Sequence, residues 1–577
     1  MTDLEIKKLK DDLWHSADVL RSGAHISANK YGQPILGLIF LRYADILFKQ
    51  HKEEIDREFN LKLGTRAERP YKEICIEKCG FFLPECAYFD YLNNLPETAE
   101  KAEHVKKAMT AIEEENPRLK GVFPKEVYGQ LVPEEEPELL SRVIRIFKDI
   151  PENIEIDLFG DIYEFFLGEF ALGEGKDGGT FYTPASVVRY MVEVLNPTAG
   201  EKTFLDPACG SGGMFVQAAR YMHRHNKSAD RMQFRCYGVE KDPDTVKLSK
   251  MNLLLNNVRG EIAEANSFYS DPYDAVGRFD YVMANPPFNV DEVLYEKVKD
   301  DARFNAYGMT KGTKGKGKDA REIVSNANYL WISYFATALN STGKAALVMA
   351  NSASDAGSND LTIRRNMIKA GIIKQMVTLP SNMFTSVTLP ATLWFFDKSK
   401  PAHQKDEILF IDARNVFTRI DRAHRKFSDE QIKNLALITK LYDGNIQAYI
   451  DLIAEYTYNL EHEEDKDYWQ SQIDWINERF PDGVYRDVVG LCKVVKIGEV
   501  FDEEGNVTEI IEDSIADQDW SLNAGRYVGV VIEDDGLTQE EFRCQMLGLN
   551  QALEHLNAEA HSIEEQIKAN LKSLFGE

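Results

Sequence analysis

Apolar residues recur at helical spacing from Leu4 to about Asp157, with a dense run from Ile35 to Phe48 directly after Pro34. This pattern predicts a helical amino-terminal region in which Pro34 occupies a first turn, where its missing N–H costs nothing. An acidic run, Pro133 to Glu138, interrupts the pattern, and the glycine-rich stretch Gly173 to Gly179 ends it as a boundary or mobile loop. From there short apolar segments alternate with helical ones: Thr203–Leu205, Cys236–Val239, Tyr281–Met283, Ala345–Met349, Gln375–Leu379 and Thr392–Phe396. That alternation predicts an α/β fold with a doubly wound, Rossmann-like sheet, which binds ligands beyond the carboxyl ends of its strands.

After His424 the pattern is again mainly helical and charged. It closes with Phe542, Met546, Leu549, Leu553, Leu556, Ala560, Ile563 and Ile567, spaced like a heptad stripe. Such a stripe needs a partner, either the chain's own domain or another subunit. The expected organisation is therefore a helical domain over 1–165, the sheet domain over 166–424, a mainly helical accessory region over 425–535, and a coiled-coil-like helix for subunit contact over 536–577.

Composition narrows the class. No apolar run approaches the length of a membrane span, and Met1 to Arg21 alternates charge with apolar residues, so a cytoplasmic protein is expected. Seven cysteines in 577 residues are too scattered for a disulfide framework. Cys75, Cys79 and Cys86 match no common zinc spacing, and no metal is expected. With 68 basic against 94 acidic residues the formal net charge is −26. Phosphate binding draws on cationic neutralisation, so a DNA substrate would require a partner to supply much of the grip. Solubility alone is the other reading of that acidity.

Three motifs fall at predicted strand ends. Asp206-Pro-Ala-Cys-Gly210-Ser211-Gly212-Gly213 follows the first strand, where glycines let backbone approach a ligand and Asp206 can take up an amino group. Glu240 ends the second strand, placed to accept from ribose hydroxyls. Asn285-Pro286-Pro287-Phe288 follows the strand Tyr281–Met283. Consecutive prolines stiffen the backbone, so the Asn285 side-chain carbonyl and the Pro286 carbonyl can converge as acceptors for a planar amine, stabilising positive charge developing on its nitrogen. Phe288 offers a ring face to a flipped base. Upstream, Gly179-Thr180-Phe181-Tyr182-Thr183-Pro184-Ala185 reads as a helix start, with an aromatic pair able to cover a cofactor.

The order Phe-Tyr-Thr-Pro, Asp-Pro-Ala-Cys-Gly-Ser-Gly-Gly, Asn-Pro-Pro-Phe resembles the adenine-specific amino-methyltransferases of type I restriction-modification systems. The resemblance runs over nearly the whole chain, including Tyr31-Gly-Gln-Pro34, Phe40-Leu-Arg-Tyr43 and Trp520-Ser-Leu-Asn-Ala-Gly-Arg-Tyr527. It implies transfer of a methyl group from S-adenosyl-L-methionine to the exocyclic amine of adenine in DNA, two such chains on one specificity subunit, and a separate restriction and translocase subunit. By resemblance, Thr180 to Ala185, Asp206, Gly210 to Gly212 and Glu240 hold the cofactor, and Asn285 to Phe288 the base. Cys209 stands where the family commonly has alanine. Asn266-Ser267 stands where many relatives carry an aspartate for the cofactor's adenine, leaving Asn266 to contribute only through its amide.

Other readings persist at this level. A standalone DNA methyltransferase would need a recognition module within the segment after His424, which has no basic concentration of the expected kind. A protein-glutamine methyltransferase presents a similar amide to the same tetrapeptide. A scaffold without chemistry fits poorly with an intact Asn285-Pro-Pro-Phe288, and cytosine-carbon methylation lacks its Pro-Cys nucleophile. The stretch Lys311-Gly-Thr-Lys314-Gly-Lys316-Gly-Lys318 is either a phosphate contact or a solvated loop; Asp319 after Gly317-Lys318 excludes a nucleotide-binding P-loop.

Overall fold

Long apolar runs bury best as helices packed on helices, and the amino-terminal region follows that rule. The computed structural model describes the chain except residues 1–2, 24–27, 67, 97–99, 133–136, 155, 174–182, 199, 226–233, 316–319, 385–389, 422–423, 503, 531–537 and 576–577. Helices α1 (Asp3–Gly23), α2 (Ala28–Lys62), α3 (Leu139–Lys148) and α4 (Ile156–Gly173) enclose a core that includes Ile35, Ile39, Phe40, Phe147, Phe159 and Phe166. Pro34 lies in the second turn of α2, not the first, because the helix begins at Ala28. Packing overrides the proline: Tyr31 donates its hydroxyl to the Ala17 carbonyl at 3.0 Å, and a Cβ at Gly32 would stand 3.2 Å from the Phe170 ring.

Within the motif Phe40-Leu-Arg-Tyr43, Arg42 and Asp45 are both 1% exposed and pair at 3.2 Å. Arg42 also donates to the Lys148 and Ile150 carbonyls. The nearby carboxylates of Asp45, Asp90 and Glu152 converge, but Lys49 and Lys148 sit among them, so the cluster is an ion-pair lock between helices.

The central sheet has nine strands: β1 (Lys202–Asp206), β2 (Phe234–Glu240), β3 (Gly260–Glu264), β4 (Phe279–Ala284), β5 (Leu339–Ala350), β6 (Ile373–Thr378), β7 (Ala391–Asp397), β8 (Glu407–Asp412) and β9 (Cys492–Lys496). Their order is β9-β8-β6-β7-β5-β4-β1-β2-β3. Strand β7 is antiparallel to both neighbours and β9 antiparallel to β8; the remaining pairs are parallel. All six expected strands form. Strand order reverses at β1, between β4 and β2, and the crevice of a doubly wound sheet opens at such a switch point. Helices α5 (Ala185–Leu195), α6 (Gly213–His225) and α7 (Pro243–Leu255) contribute to one face, and α8 (Asn328–Ala338) to the other.

Two structural continuities run across the expected divisions of the chain. Helix α4 runs unbroken across residues 165 and 166, and Met251 and Leu255 of α7 join the amino-terminal core, so the helical region and the sheet share packing. The stretch after 425 is helical at first, then supplies β9 to the sheet edge. Its Trp520–Tyr527 segment braces the end of β5: Arg364 donates to the Trp520 carbonyl at 2.7 Å, and the Leu522 amide to the Ser354 carbonyl at 2.9 Å. Residues 529–577 form a second unit whose described residues include the helix α9 (Gln539–Phe575), with Phe542, Met546, Leu549, Leu553, Leu556, Ile563 and Ile567 exposed. No described helix is long and apolar enough to cross a membrane.

Candidate active site

Strand β1 delivers Asp206 to the carboxyl edge of the sheet, and the chain then turns through Pro207–Gly212 into α6. Gly210 (φ 51°) and Gly212 (φ 79°) take left-handed backbone there. At Gly212 a Cβ would also lie 2.8 Å from both Leu253 Cδ1 and Ser249 Oγ, so the position has neither the torsion nor the room for a side chain. The loop is tethered three ways. The Cys209 amide donates to the Val239 carbonyl at 3.0 Å, the Gly210 amide donates to Glu240 Oε2 at 3.2 Å, and Asn252 Nδ2 donates to the Ser211 carbonyl at 2.9 Å. Asp206 is 1% exposed and accepts from the Ala208 amide at 3.0 Å. Burial pushes its carboxyl well above the usual range, and the neighbouring Glu240 charge adds to the shift. An acid so placed suits a cationic group.

Asn285 follows β4 directly. Its Nδ2 donates to Thr183 Oγ1 at 3.0 Å, while its buried Oδ1 has no hydrogen-bond partner among the described residues. Orphaned buried acceptors are uncommon, because each carries a desolvation cost of about 1–3 kcal/mol that a ligand can relieve. Thr183 thus directs its hydroxyl to Asn285, and Pro184 is the residue before α5, with no side-chain cap on that helix. Pro286 is buried, Pro287 half-buried, and the half-buried Phe288 packs against the cores on both faces of the sheet. Beyond it Asn289 adopts φ 54° and is held by Asn328, whose Oδ1 accepts from the Asn289 amide at 2.8 Å and whose Nδ2 donates to Asn289 Oδ1 at 3.0 Å.

Asn285 and the glycine loop line one open cleft of about 590 Å3, whose wall includes Thr183, Ala185, Asp206, Gly210, Ser211 and Asn285; Pro286, Pro287 and Phe288 are not part of that wall. Gly212 and Glu240 shape the loop from behind. Asn266 is exposed, caps the following turn by accepting from the Phe268 amide at 3.0 Å, and is not part of the cleft wall. Thr180, Phe181 and Tyr182 lie outside the described residues. In the lysine-glycine stretch, Lys311 pairs with Glu322 at 2.6 Å and Lys314 with Glu292, while Lys316 and Lys318 are outside the described residues.

Several contributors escaped the sequence reading. Glu164 and Leu167 reach the cleft from α4, and Gln217 and Asn252 from α6 and α7. Gln217 and Arg220 both donate to Glu164; Arg220 continues to Asn256 at 2.9 Å, and Asn256 to Asn252 at 3.0 Å. Arg303 donates to the carbonyls of Ser267 and Ser270, and Ser267 donates to the Pro207 carbonyl, fixing the segment behind the glycine loop. One signal was present: Gly160 within helix α4, where a Cβ would stand 2.2 Å from Asn256 Oδ1, marks the close approach of the two regions.

A reversed sheet order, a buried acid beside a left-handed glycine loop at the switch, and an amide acceptor at the next strand's tip together fit a methyltransferase of the S-adenosylmethionine-dependent fold class. Comparison with known proteins narrows this. The N-6 DNA methylase family profile matches residues 154–535, and that of the HsdM N-terminal domain matches residues 9–147. The chain is 32% identical to the type I restriction enzyme MjaIX methylase subunit of Methanocaldococcus jannaschii, covering 98% of this chain and 91% of that one. It is also 32% identical to the HindI methylase subunit of Haemophilus influenzae, covering 81% and 91% respectively. The crystal structure of a type I methyltransferase subunit from Streptococcus thermophilus shares its fold, with a TM-score of 0.67 at 20% identity over 91% of this chain and all of that one. The chain belongs to the N-6 DNA methylase family, among the methylase subunits of type I restriction enzymes.

Proposed function

We propose that the chain transfers a methyl group from S-adenosyl-L-methionine to the exocyclic amine of adenine in DNA, as the modification subunit of a cytoplasmic complex. In that complex two copies sit on one specificity subunit, which reads the DNA sequence, and a restriction and translocase subunit completes the assembly. The observation that carries the chemistry is the buried, unpartnered Asn285 Oδ1 at the cleft wall, held in orientation by Thr183. Bound S-adenosylmethionine supplies an electrophilic sulfonium methyl.

The chain's own groups do the rest. Asn285 Oδ1, with the Pro286 carbonyl, accepts the hydrogens of the planar amine and stabilises the positive charge that grows on its nitrogen during attack. Phe288 presents a ring to the extruded base. Asp206, Gly210 to Gly212 and Glu240 hold the cofactor's cationic and ribose portions, and Thr180 to Ala185 cover it. In this reading 1–165 is a helical domain packed on the sheet domain, 166–424 catalyses, 425–535 braces the sheet, and 536–577 contacts a partner subunit.

The test is incubation of the purified chain, alone and with its co-purifying partners, with methyl-labelled cofactor and unmodified bacterial DNA. Label in adenine N6, abolished by Asn285→Ala, is expected. Label in protein glutamine, or transfer surviving Asn285→Ala, would overturn the assignment.

A further inference from the structure

In a chain of net charge −26, the segment Ala413–Ser428 carries Arg414, Arg419, Arg422, Arg425 and Lys426 against the single acid Asp421. It leaves the carboxyl end of β8, the same edge that bears the active site, and folds back as a two-stranded ribbon, Thr418–Arg419 against Arg425–Lys426. Its register sets Arg419 directly opposite Arg425, a like-charge pairing that destabilises a ribbon unless an anion lies between or above the two. The arginine on the return strand is preorganised: the Arg425 guanidinium stacks over the Phe417 ring at 4.0 Å and donates to Ser381 Oγ at 3.1 Å. The side chains of Arg419 and Lys426 are exposed, and among the described residues neither side chain has a hydrogen-bond or ion-pair partner. The neighbouring Arg414 is neutralised by Asp412, and the described lysines of the 311–318 stretch by Glu322 and Glu292.

The ribbon also stands beside the cleft. Directly after Lys426, the Phe427 amide donates to Ser186 Oγ at 3.4 Å and its ring meets Tyr190 of α5 at 5.8 Å. Ser186 is the next residue after Ala185 of the cleft wall.

We propose that Arg419, Arg425 and Lys426 form a phosphate-binding ribbon that grips the DNA backbone flanking the target base. This rests on the reading of DNA as substrate. The ribbon supplies the chain's own, sequence-independent contribution to a grip whose specificity comes from elsewhere; phosphate contacts position, whereas base contacts specify. An acidic segment of a partner protein is the competing occupant of such a surface.

The test compares the wild-type chain with Arg419→Ala/Lys426→Ala, each in its co-purified complex, measuring methyl transfer and DNA binding from 50 to 200 mM salt. Losing two phosphate contacts should flatten the slope of log K against log salt by about 1.8, twice the ~0.9 per contact of B-form DNA, and raise KM for DNA with kcat retained at saturation. Cofactor affinity of the full chain, by calorimetry, should stay unchanged. An unaltered slope and KM overturn the ribbon while leaving the methyltransferase reading intact. Loss of partner co-purification with an unaltered slope assigns the surface to protein and overturns it equally. If wild type transfers no label to DNA but methylates protein, the substrate reading itself has failed. Arg419→Lys/Lys426→Arg should restore the wild-type slope, which separates charge from folding.

Discussion

Thr183 Oγ1 accepts a hydrogen bond from Asn285 Nδ2 at 3.0 Å, joining the segment before α5 to the tip of β4 across 102 residues of chain. A free carboxamide can rotate by half a turn and exchange its donor for its acceptor. This bond selects one orientation, with Nδ2 engaged and Oδ1 left for an incoming amine. Thr183→Val keeps the shape and removes the acceptor. Because a single preorganised polar contact at a developing charge is worth ~10²–10³ in kcat, a loss approaching that range is expected. Single-turnover methyl transfer at saturating cofactor and DNA measures it. A wild-type rate in Thr183→Val would show that the amide needs no clamp.

Gly210 and Gly212 share left-handed torsions but differ in their surroundings. Among the described residues nothing lies within 4 Å of a Cβ built on Gly210, whereas Leu253 and Ser249 crowd one on Gly212. Gly210→Ala should therefore cost only the torsional penalty, about 1–2 kcal/mol. Gly212→Ala adds steric overlap, and a further ~1–3 kcal/mol is expected from overpacking. Chemical denaturation ranks the two directly, and equal destabilisation would contradict the tight approach of α7 to this loop.

Asp206 makes stability depend on pH. Its folded carboxyl titrates well above the ordinary value of 3.8, chiefly through burial and then through Glu240. The unfolded chain therefore gives up this proton first. The contribution of Asp206 to stability is full below about pH 3.8 and is lost as pH rises through the raised folded value. Asp206→Asn should flatten this dependence in thermal melts of the ligand-free protein. A cationic ligand opposes the shift, so its binding should release a proton in wild type and none in Asp206→Asn. Calorimetry in buffers of differing ionisation enthalpy reads that difference.

Much of this site was legible in sequence because its motifs sit where strands meet loops. The periodicity that marks β1, β2 and β4 also marks their ends, and Asp206, Glu240 and Asn285 stand at those ends. Edge strand β3, with exposed Gly260, Glu261 and Glu264 around a single buried Ile262, offers almost no apolar run. Strand β9, Cys-Lys-Val-Val-Lys, is short, lies in a region whose pattern reads as mainly helical, and takes its place at the sheet edge by pairing with β8. Glu164 and Asn252 are brought to the cleft by helix packing, which local spacing does not encode. The like-charge opposition of Arg419 and Arg425 depends on a register that no count of basic residues reveals.

Helix α4 and the glycine loop are linked by a relay: Glu164 accepts from Arg220, Arg220 donates to Asn256, Asn256 donates to Asn252, and Asn252 donates to the Ser211 carbonyl. Asn252 is wholly buried, so its side chain has no water to replace these partners. Asn252→Ala leaves the Ser211 carbonyl short of a donor, which should destabilise the chain by about 1–3 kcal/mol. Arg220 is absent from the cleft wall, yet Arg220→Met removes the bonds that tie Glu164 to Asn256, leaving Glu164 with Gln217 and Asn256 with Asn252. If the relay holds the loop in its ligand-ready form, Arg220→Met should weaken cofactor binding several-fold while kcat at saturation stays near wild type. The effects of Asn252→Ala and Arg220→Met should then fall short of additivity by more than ~0.5 kcal/mol, the margin that separates coupled from independent sites. Strictly additive losses in cofactor affinity would show instead that each residue acts only on its own neighbours, and that α4 does not reach the glycine loop through this path.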